Sequence, residues 1–585
     1  MKKIFVMLSM MFAFGASADA TPAKLLKKMI TLPDGTQALA ELRGDEFNSW
    51  WQTADGGKYM ESPEREGVFV VADMEAKERV AQALRAPIAA SRQQRLQRAR
   101  AAANTVDGMQ RITPGFPHAP YTGDKKGLII LVEFTNQKFK ANHTREYYEA
   151  IANTPNFTHE DGYVGSIYDY FHAQSNGQFR LTFDVLGPVQ LENNVSYYGA
   201  NNAYGNDVRP GQMIKEACTA VSDQVNFADY DWDGDGYADQ VFVLYAGYGE
   251  ATGGAATTIW PHEYELTYAI GNPLHFDTGG VDTYACANEI DKVVSPTTGQ
   301  FTNKVVPSGI GAICHEFSHC LGFADMYDTG GGTQGMTYWD VMAYGTYLGE
   351  SFRPCNYTGY ERWYAGWVEP IEINEPATVN AMQSSTDYGT PFIIYNDKDK
   401  DEYYILENRQ KTGWDTDLYG DGLMITHVDF DYTKWAYNTV NSSSSDHERC
   451  AIFKANNRST VSSYEEFGDQ LYPYVQYGKV RNDELTNESA PAASLYNRNT
   501  DGTKFMNKPI TEIARNDDGT VSFKVLGGND ENVLDNTAPT AINGVYVDTK
   551  AQDNRVYSID GRFLGNDVNA LGKGLYIVGG KKVVK

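Results

Sequence analysis

The sequence contains few cysteines for its length, six in 585 residues. They lie at positions 218, 286, 314, 320, 355 and 450. Six cysteines allow fifteen disulfide connectivities. Cys314 and Cys320 cannot easily bridge if they share a helix, because a separation of six residues places them on different faces. The sequence therefore leaves the pairing open, free thiols included.

Basic residues are also scarce, with 50 lysines and arginines against 76 aspartates and glutamates. The formal net charge is −26 and the sequence pI is about 4.8. Nucleic-acid binding depends on clustered basic side chains that neutralise phosphates, so this balance argues against a nucleic-acid partner. An acidic surface keeps an exported protein soluble and offers carboxylates to calcium.

The sequence has no apolar run long enough for a transmembrane anchor. A short apolar stretch does follow Lys2 and Lys3, and it ends before the small residues of Ala18-Asp19-Ala20. A basic start, a short apolar segment and a small-residue cleavage site are typical of a secretory signal peptide. We therefore expect residues 1–20 to be removed on export, and the protein to be secreted or placed at the cell surface.

The region after the signal peptide, residues 21–110, differs from the rest of the chain. Strand-like segments near Thr31 and at Gly67–Val71 are followed by an Ala- and Gln-rich stretch with several arginines between Arg92 and Arg100. This stretch is either a solvated helix or linker, or the cleavable end of a propeptide. Its place between a signal peptide and a large body favours the propeptide.

The length predicts two to four domains, and we find no internal repeat. Residues 111–528 mix buried-type strands, such as Gly127–Glu133 and Asp239–Tyr245, with helical stretches at Tyr163–Phe171 and Gly211–Val221. Residues 529–541 are polar and linker-like. The last segment, residues 542–585, has turn and hairpin patterns that predict a small all-β domain.

The main chemical motif is His-Glu-Phe-Ser-His, residues 315–319. On a helix, His315 and His319 project from the same face one turn apart and can bind one tetrahedral zinc ion. Glu316 lies beside the first ligand and is suited to activate a zinc-bound water as general base. We expect Ser308 to cap this helix and Gly322 to end it.

A zinc ion in such a site needs a third protein ligand. Gly322 lets the chain turn back, which makes Asp325 the first candidate and Asp328 the second. Further along, the segment Tyr338-Trp-Asp-Val-Met-Ala-Tyr-Gly345 contains Met342 and Tyr344. A methionine on its own most often packs in a core.

A second metal site is predicted in the aspartate-rich segment 228–239. Asp231, Asp233 and Asp235 match positions one, three and five of a calcium loop, Tyr237 offers its carbonyl, and Asp239 supplies a further carboxylate. Position twelve is Phe242, so the segment is not a standard EF-hand. The alternative is a solvated acidic turn.

The stretch His-Glu-Phe-Ser-His-Cys-Leu-Gly-Phe-Ala-Asp, residues 315–325, resembles the immune inhibitor A-like metallopeptidases of the metzincin clan. Met342 then matches the Met-turn of that clan, the hydrophobic floor beneath the zinc. Tyr344 matches the position of a tyrosine that ligates zinc or steadies the transition-state oxyanion in some members of the clan; packing in the floor of the site is the alternative. Segments outside the site resemble the same family: Pro33–Thr36, Gly44–Phe47, Asp169–Phe171, Ser175–Gln178, Gly187–Val189, Tyr245–Gly249, Leu406–Arg409 and Gly422–Asp429. The resemblance covers most of residues 30–528.

The resemblance implies an α+β fold: a metzincin-like domain with a mixed sheet and an active-site helix, between an N-terminal propeptide and a small all-β tail. It implies a secreted zinc endopeptidase, made as a zymogen, whose partners are protein or peptide substrates and its own propeptide. The propeptide has no cysteine, so a cysteine switch cannot keep it latent. A carboxylate or steric blockage would have to do so.

The tail, with Tyr557-Ser-Ile-Asp-Gly-Arg562 and Gly574-Leu-Tyr-Ile-Val578, resembles the C-terminal sorting domains of Bacteroidetes type IX secretion. This resemblance implies a secretion machinery as a further partner. A plain β-sandwich accessory domain is the alternative. Two other functions stay open: a surface adhesin with a structural metal, and a zinc amidase that acts on cell-wall peptides.

Overall fold

The computed structural model describes residues 21–62, 65–87, 121–295, 298, 300–331, 333, 335–443, 446–461 and 465–537, and four short strands between residues 556 and 584. The predicted signal peptide and the arginine cluster at 92–100 lie outside these residues. The chain forms two compact units, Met1–Ala538 and Pro539–Lys585. No helix in the described ranges is long and apolar enough to cross a bilayer.

Five short strands close an N-terminal barrel in the order β1-β2-β3-β4-β5. They are β1 Lys27–Thr31, β2 Gln37–Arg43, β3 Trp50–Thr53, β4 Lys58–Ser62 and β5 Arg65–Val71. The barrel interior buries Ile30, Leu42 and Phe69, and this apolar cluster continues into Ala251 and Trp260 of the following region. The barrel is therefore packed against the central body. Helix α1, residues 74–87, follows it.

A six-stranded mixed sheet organises the central body, in the order β10-β13-β9-β6-β7 with β14 on β13. Strands β6, β7, β9 and β13 are parallel, whereas β10 and β14 run antiparallel to β13. The strands of this region are β6 Gly123–Glu133, β7 Phe179–Gln190, β8 Tyr237–Ala238, β9 Val241–Tyr248, β10 His262–Glu265, β11 Leu274–Phe276, β12 Gly279–Val281, β13 Thr283–Val294 and β14 Phe301–Pro307.

Helices cover both faces of this sheet. They are α2 Arg145–Asn153, α3 Ile167–Gln174, α4 Val195–Gly199, α5 Pro210–Val221, α6 Leu266–Ala269 and α7 Gly311–Ser318. Alternate residues of β6 face opposite sides: Ile129 and Leu131 pack with α2, α3 and α7, whereas Leu128 and Ile130 pack with α4, α5 and α6. The run of apolar residues in β6 is thus a strand buried on both faces.

A second region follows helix α8, Gly359–Tyr364. Its two main sheets have the orders β15-β17-β18-β19-β20 and β23-β24-β16-β25. The elements are β15 Ile371–Glu372, β16 Ala377–Met382, β17 Phe392–Tyr395, β18 Glu402–Arg409, β19 Gly422–Asp429, α9 Tyr432–Ala436, β20 Cys450–Ile452, α10 Glu465–Gly468, β21 Tyr474–Gln476, β22 Lys479–Asn482, β23 Ile510–Arg515, β24 Val521–Val525 and β25 Val533–Leu534.

The two faces of the five-stranded sheet pack against different hydrophobic cores. Ile394 and Leu406 pack with Phe523 of the four-stranded sheet. Ile405 and Met424 instead belong to the core that contains the α7 helix. The second region is therefore built directly onto the site-bearing half of the central body.

Several boundaries differ from the sequence predictions. Tyr163 precedes helix α3, which begins at Ile167 after a capping box on Ser166 and Asp169. Residues 529–537, predicted as linker, contain strand β25, which pairs with β16. The described strands of the tail are β26 Val556–Ser558, β27 Phe563–Gly565, β28 Leu575–Val578 and β29 Lys581–Val584. They form one sheet in the order β27-β26-β28-β29. Each of the six cysteines is described, and each is a free thiol.

Candidate metal centre

Helix α7 carries His315 and Glu316, and His319 begins the 3-10 turn that continues it. The prediction that Ser308 caps this helix is wrong: the residue before the helix is Ile310, without a side-chain cap. Its start is fixed by packing instead, since a Cβ on Gly311 would lie 2.0 Å from the Thr346 carbonyl oxygen. The turn ends at Gly322, whose φ of 84° favours glycine.

The structure brings His315, His319 and Asp325 together at the end of this helix. One donor atom from each lies within 4.8 Å of the others, and all three side chains are buried. The Oδ1 atom of Asp325 lies 3.1 Å from Nε2 of His315 and 3.6 Å from Nε2 of His319. Two imidazole nitrogens and one carboxylate oxygen are a donor set that catalytic zinc sites use. The residues present therefore fit zinc.

Backbone carbonyls orient both imidazoles. Nδ1 of His315 lies 2.8 Å from the Val341 carbonyl oxygen, and Nδ1 of His319 lies 2.8 Å from the Phe323 carbonyl oxygen. A carbonyl accepts a hydrogen bond, so each Nδ1 carries a proton and Nε2 is the ring atom left to bind a metal. The two rings are thus set in the tautomer that metal binding requires.

Asp325 is oriented by a residue that no motif in the sequence marks. Asn438 is fully buried, lies in the second region, and accepts a 2.5 Å hydrogen bond from the Asp325 backbone N–H. Its Nδ2 atom donates to Oδ2 of the same aspartate at 2.6 Å, and the Tyr327 hydroxyl donates to that oxygen at 3.2 Å. Oδ2 is therefore held from two sides, while Oδ1 faces the histidines.

Asp328, the alternative third ligand, has a different environment. Its Oδ1 accepts hydrogen bonds from the backbone N–H groups of Gly330 and Ser443, at 2.7 and 2.6 Å. Its Oδ2 accepts one from Thr333 at 2.6 Å. These bonds are those of a carboxylate that organises a loop, and Asp328 is not part of the histidine cluster.

Burial and the cluster's own charges shift its pKa values. Burial lowers the pKa of His315, but the hydrogen bond to Asp325 and the charges of Glu316 and Asp325 outweigh it and raise that pKa to about 9. Burial raises the pKa of Asp325, yet the two histidines and Asn438 bring it below its usual value. A metal ion must displace the proton held here, as in any site of this donor type.

Met342 and Tyr344 belong to residues 338–345, the floor segment, which packs in the same hydrophobic core as helix α7. Met342 is fully buried, and its carbonyl accepts a 2.8 Å hydrogen bond from the Met326 N–H. The Tyr344 ring packs 5.9 Å from that of Tyr338, and burial raises the pKa of its hydroxyl. This floor is fastened to the second region by Arg409, which donates to the Trp339 carbonyl at 2.9 Å. A ligand role for Tyr344 stays a prediction.

Thr21, the first residue that the structure describes, contacts the carboxylate of Glu316, the candidate general base. The Thr21 backbone nitrogen donates to Oε1 of Glu316 at 2.6 Å, and the Thr21 hydroxyl donates to the same oxygen. Thr21 is 1% exposed and its carbonyl accepts a 3.0 Å hydrogen bond from Nε1 of Trp260. Burial raises the pKa of Glu316 to about 8, against the lowering effects of His315 and Thr21.

The predicted calcium loop forms a compact turn before strand β9. Asp231, Asp233 and Asp239 each place one carboxylate oxygen within 4.8 Å of the others, and Asp235 lies outside that group. A ligand role for the Tyr237 carbonyl stays a prediction. Oδ1 of Asp235 instead accepts from the Tyr237 N–H at 2.9 Å. Burial and the neighbouring aspartates raise the pKa of Asp239 to about 7, a cost that a bound cation would remove.

This loop is joined to the helix of the metal centre. Gln240 donates to the Glu316 carbonyl at 3.2 Å, and the Trp232 ring packs 6.0 Å from the ring of Phe317. The aspartate loop is therefore in direct contact with the helix that carries Glu316.

Comparison with known proteins gives matches across the same region. Residues 121–368 match the family model described as immune inhibitor A peptidase M6, catalytic domain. The pre-pro-metalloprotease PrtV of Vibrio cholerae is 24% identical over 324 residues, which cover 46% of this chain and 34% of that protein. Immune inhibitor A of Bacillus thuringiensis is 26% identical over 306 residues, which cover 43% of this chain and 42% of that protein.

The chain thus spans between about a third and two fifths of the length of these curated relatives. The matched segment contains His315, Glu316, His319 and Asp325, whereas Thr21 and Asn438 lie outside it. Residues 121–368 are therefore similar to the catalytic domain of the immune inhibitor A metallopeptidases.

Proposed function

We propose that this protein is a secreted zinc-dependent endopeptidase that hydrolyses peptide bonds of proteins and is made as a zymogen. The observation that carries the proposal is the buried cluster of His315, His319 and Asp325 with Glu316 beside it on the same helix. A structural zinc site has no use for that glutamate. Its presence favours an enzyme over an adhesin with a structural metal.

When bound, zinc would polarise the scissile carbonyl and lower the pKa of a water molecule towards neutrality. Glu316 takes the proton of the attacking water and then gives it to the leaving amine. The Val341 and Phe323 carbonyls keep the imidazoles of His315 and His319 in one tautomer throughout. Met342 and its neighbours keep water out of the floor, since that side of the site is fully buried.

The zymogen part of the proposal is supported by the N-terminal segment. Thr21 covers Oε1 of Glu316, so the base cannot accept a proton from water at that oxygen. The barrel of residues 27–71 holds the segment through packing on Ala251 and Trp260. This is steric blockage by a propeptide that needs no cysteine.

Export and a second metal complete the proposal. The signal-peptide pattern supports secretion, and the tail would address the protein to a type IX-like secretion machinery. Asp231, Asp233 and Asp239 would bind a structural calcium ion, because three converging carboxylates repel one another without a cation.

Metal removal and replacement test the function. After processing and chelation, we expect no cleavage of casein; zinc should restore cleavage, and calcium alone should restore only the melting temperature. The same samples are assayed on peptidoglycan. Cleavage of peptidoglycan without casein would favour the amidase, and cleavage of neither after zinc addition would favour the adhesin. An unchanged melting temperature after calcium removal would leave the aspartate loop as surface charge.

The latency contact gives a separate prediction. In the unprocessed chain, Thr21→Val should raise residual casein cleavage about tenfold, because it removes the hydroxyl hydrogen bond to Oε1 of the buried Glu316. Thr36→Val, at an exposed turn of the N-terminal barrel, is the matched control and should leave the activity unchanged. Equal activities of the two variants would show that Thr21 does not restrain Glu316.

A further inference from the structure

The segment Thr21–Lys24 contacts the central body along its whole length. The Thr21 carbonyl accepts from Trp260 at 3.0 Å, the Pro22 carbonyl accepts from the Tyr347 hydroxyl at 2.5 Å, and the Lys24 N–H donates to the Ala251 carbonyl at 2.9 Å. Ala23 is fully buried. An extended strand bound through its backbone is the usual way in which a cleft holds a peptide.

The contact between Thr21 and Glu316 defines which residue of this segment lies at the position of the scissile bond. The nitrogen of Thr21 lies 2.6 Å from the carboxylate that would protonate a leaving amine. Thr21 therefore takes the place of the first residue after a scissile bond. Pro22, Ala23 and Lys24 then occupy the second, third and fourth positions on the leaving-group side.

The side chain at the fourth position has a charged partner. Nζ of Lys24 lies 2.9 Å from Oε2 of Glu350 and 5.7 Å from the centre of the Tyr347 ring. The lysine side chain is 14% exposed and the glutamate 49%. A carboxylate beside an aromatic face suits a lysine or arginine side chain, since both attract a cation.

The backbone that carries Glu350 is held in an unusual conformation. Gly349, Glu350 and Ser351 have φ values of 56°, 54° and 68°. Two consecutive non-glycine residues in the left-handed region cost free energy and persist only where the surroundings enforce them. Here the Ser351 carbonyl accepts a 2.9 Å hydrogen bond from the Ile310 N–H, directly before helix α7. Glu350 is thus fixed relative to Glu316.

We propose that Tyr347 and Glu350 form a substrate subsite for a lysine or arginine side chain at the fourth residue after the scissile bond. Lys24 occupies this subsite in the unprocessed chain, and a basic residue of the substrate replaces it after processing. The subsite rests on the proposed peptidase function. The subsite would give the enzyme a preference for basic protein substrates. Such substrates are also attracted by the protein as a whole, whose net charge is −26.

The test uses the processed protein, with loss of residues 21–26 verified by mass. Two fluorogenic peptides differ only in lysine or glutamate at the fourth position after the cleaved bond. Wild type should favour lysine in kcat/KM by about threefold to fivefold, as for a partly exposed ion pair. Glu350→Gln should abolish the preference, and Glu350→Lys should reverse it. Glu488→Lys makes the same charge change at an exposed loop and should leave the preference as in wild type.

A binding measurement separates this proposal from the peptidase function. The labelled peptide Thr-Pro-Ala-Lys-Leu-Leu, which copies residues 21–26, should bind more tightly than its Lys-to-Glu counterpart, and Glu350→Lys should reverse the order. Selective binding without casein cleavage would support the subsite and overturn the peptidase. Casein cleavage with no dependence on residue 350 in either assay would overturn the subsite alone.

Discussion

Replacing Glu316 with alanine or glutamine is expected to abolish casein cleavage by the processed protein while leaving its zinc content unchanged. Neither side chain can accept the proton of the attacking water, and loss of a general base costs about a hundredfold to ten-thousandfold in rate. The metal should stay because its proposed donors are His315, His319 and Asp325, each fixed by its own hydrogen bonds.

Glutamine and alanine control for each other. Glutamine keeps the volume of the fully buried side chain, whereas alanine leaves a cavity in the core. If alanine alone lost activity, a packing defect would be responsible. Cleavage within tenfold of wild type by the glutamine variant, at equal zinc content, would contradict the role of Glu316 as base.

The second large effect concerns the third ligand. We expect Asp325→Ala to lose zinc, measured by elemental analysis after dialysis, because it removes the only carboxylate in the histidine cluster. Asp328→Ala should retain zinc and lose thermal stability, since its oxygens hold the backbone of Gly330, Thr333 and Ser443. The opposite result would exchange the roles of the two aspartates.

Asn438 should show an intermediate effect on the same measurement. Asn438→Asp replaces the Nδ2 donor by a second carboxylate and is expected to weaken zinc binding about tenfold to a hundredfold, the usual cost of losing a residue that orients a ligand. The absorption spectrum of bound cobalt should change as well. Asn441→Ala is the matched control: it lies in the same loop and donates to the Met326 carbonyl rather than to the Asp325 carboxylate.

Local chemistry made part of the site predictable. The four-residue spacing of His315 and His319 determines a shared helix face, and Gly322 takes the positive φ that turns the chain back to Asp325. These relations extend over eleven residues, a distance at which helix geometry still constrains position. The N-cap prediction failed because Ser308 bonds to the buried Asn288 and Asp291 instead of the helix.

The parts that sequence reasoning missed come from long-range packing. Thr21 reaches Glu316 across 295 residues, and Asn438 reaches Asp325 across 113. Neither residue has a neighbouring motif, because a threonine after a small-residue site and an asparagine after a short helix occur in many unrelated contexts. The folds of the barrel and of the second region decide these contacts, and no spacing rule connects them to the histidines.

Because Asn438 orients Asp325, the residues needed for an intact site extend beyond the segment that matches the family model. The segment that matches the peptidase family model stops at residue 368 and includes every residue of the proposed zinc motif. The amide that orients Asp325, and the guanidinium of Arg409 that fastens the floor, both come from beyond that point. A fragment cut at residue 368 would keep the whole signature and lose part of its geometry. The second region thus supplies side chains to the proposed metal centre. Replacing that region during evolution would change the geometry around Asp325 as well as the surface beyond the site.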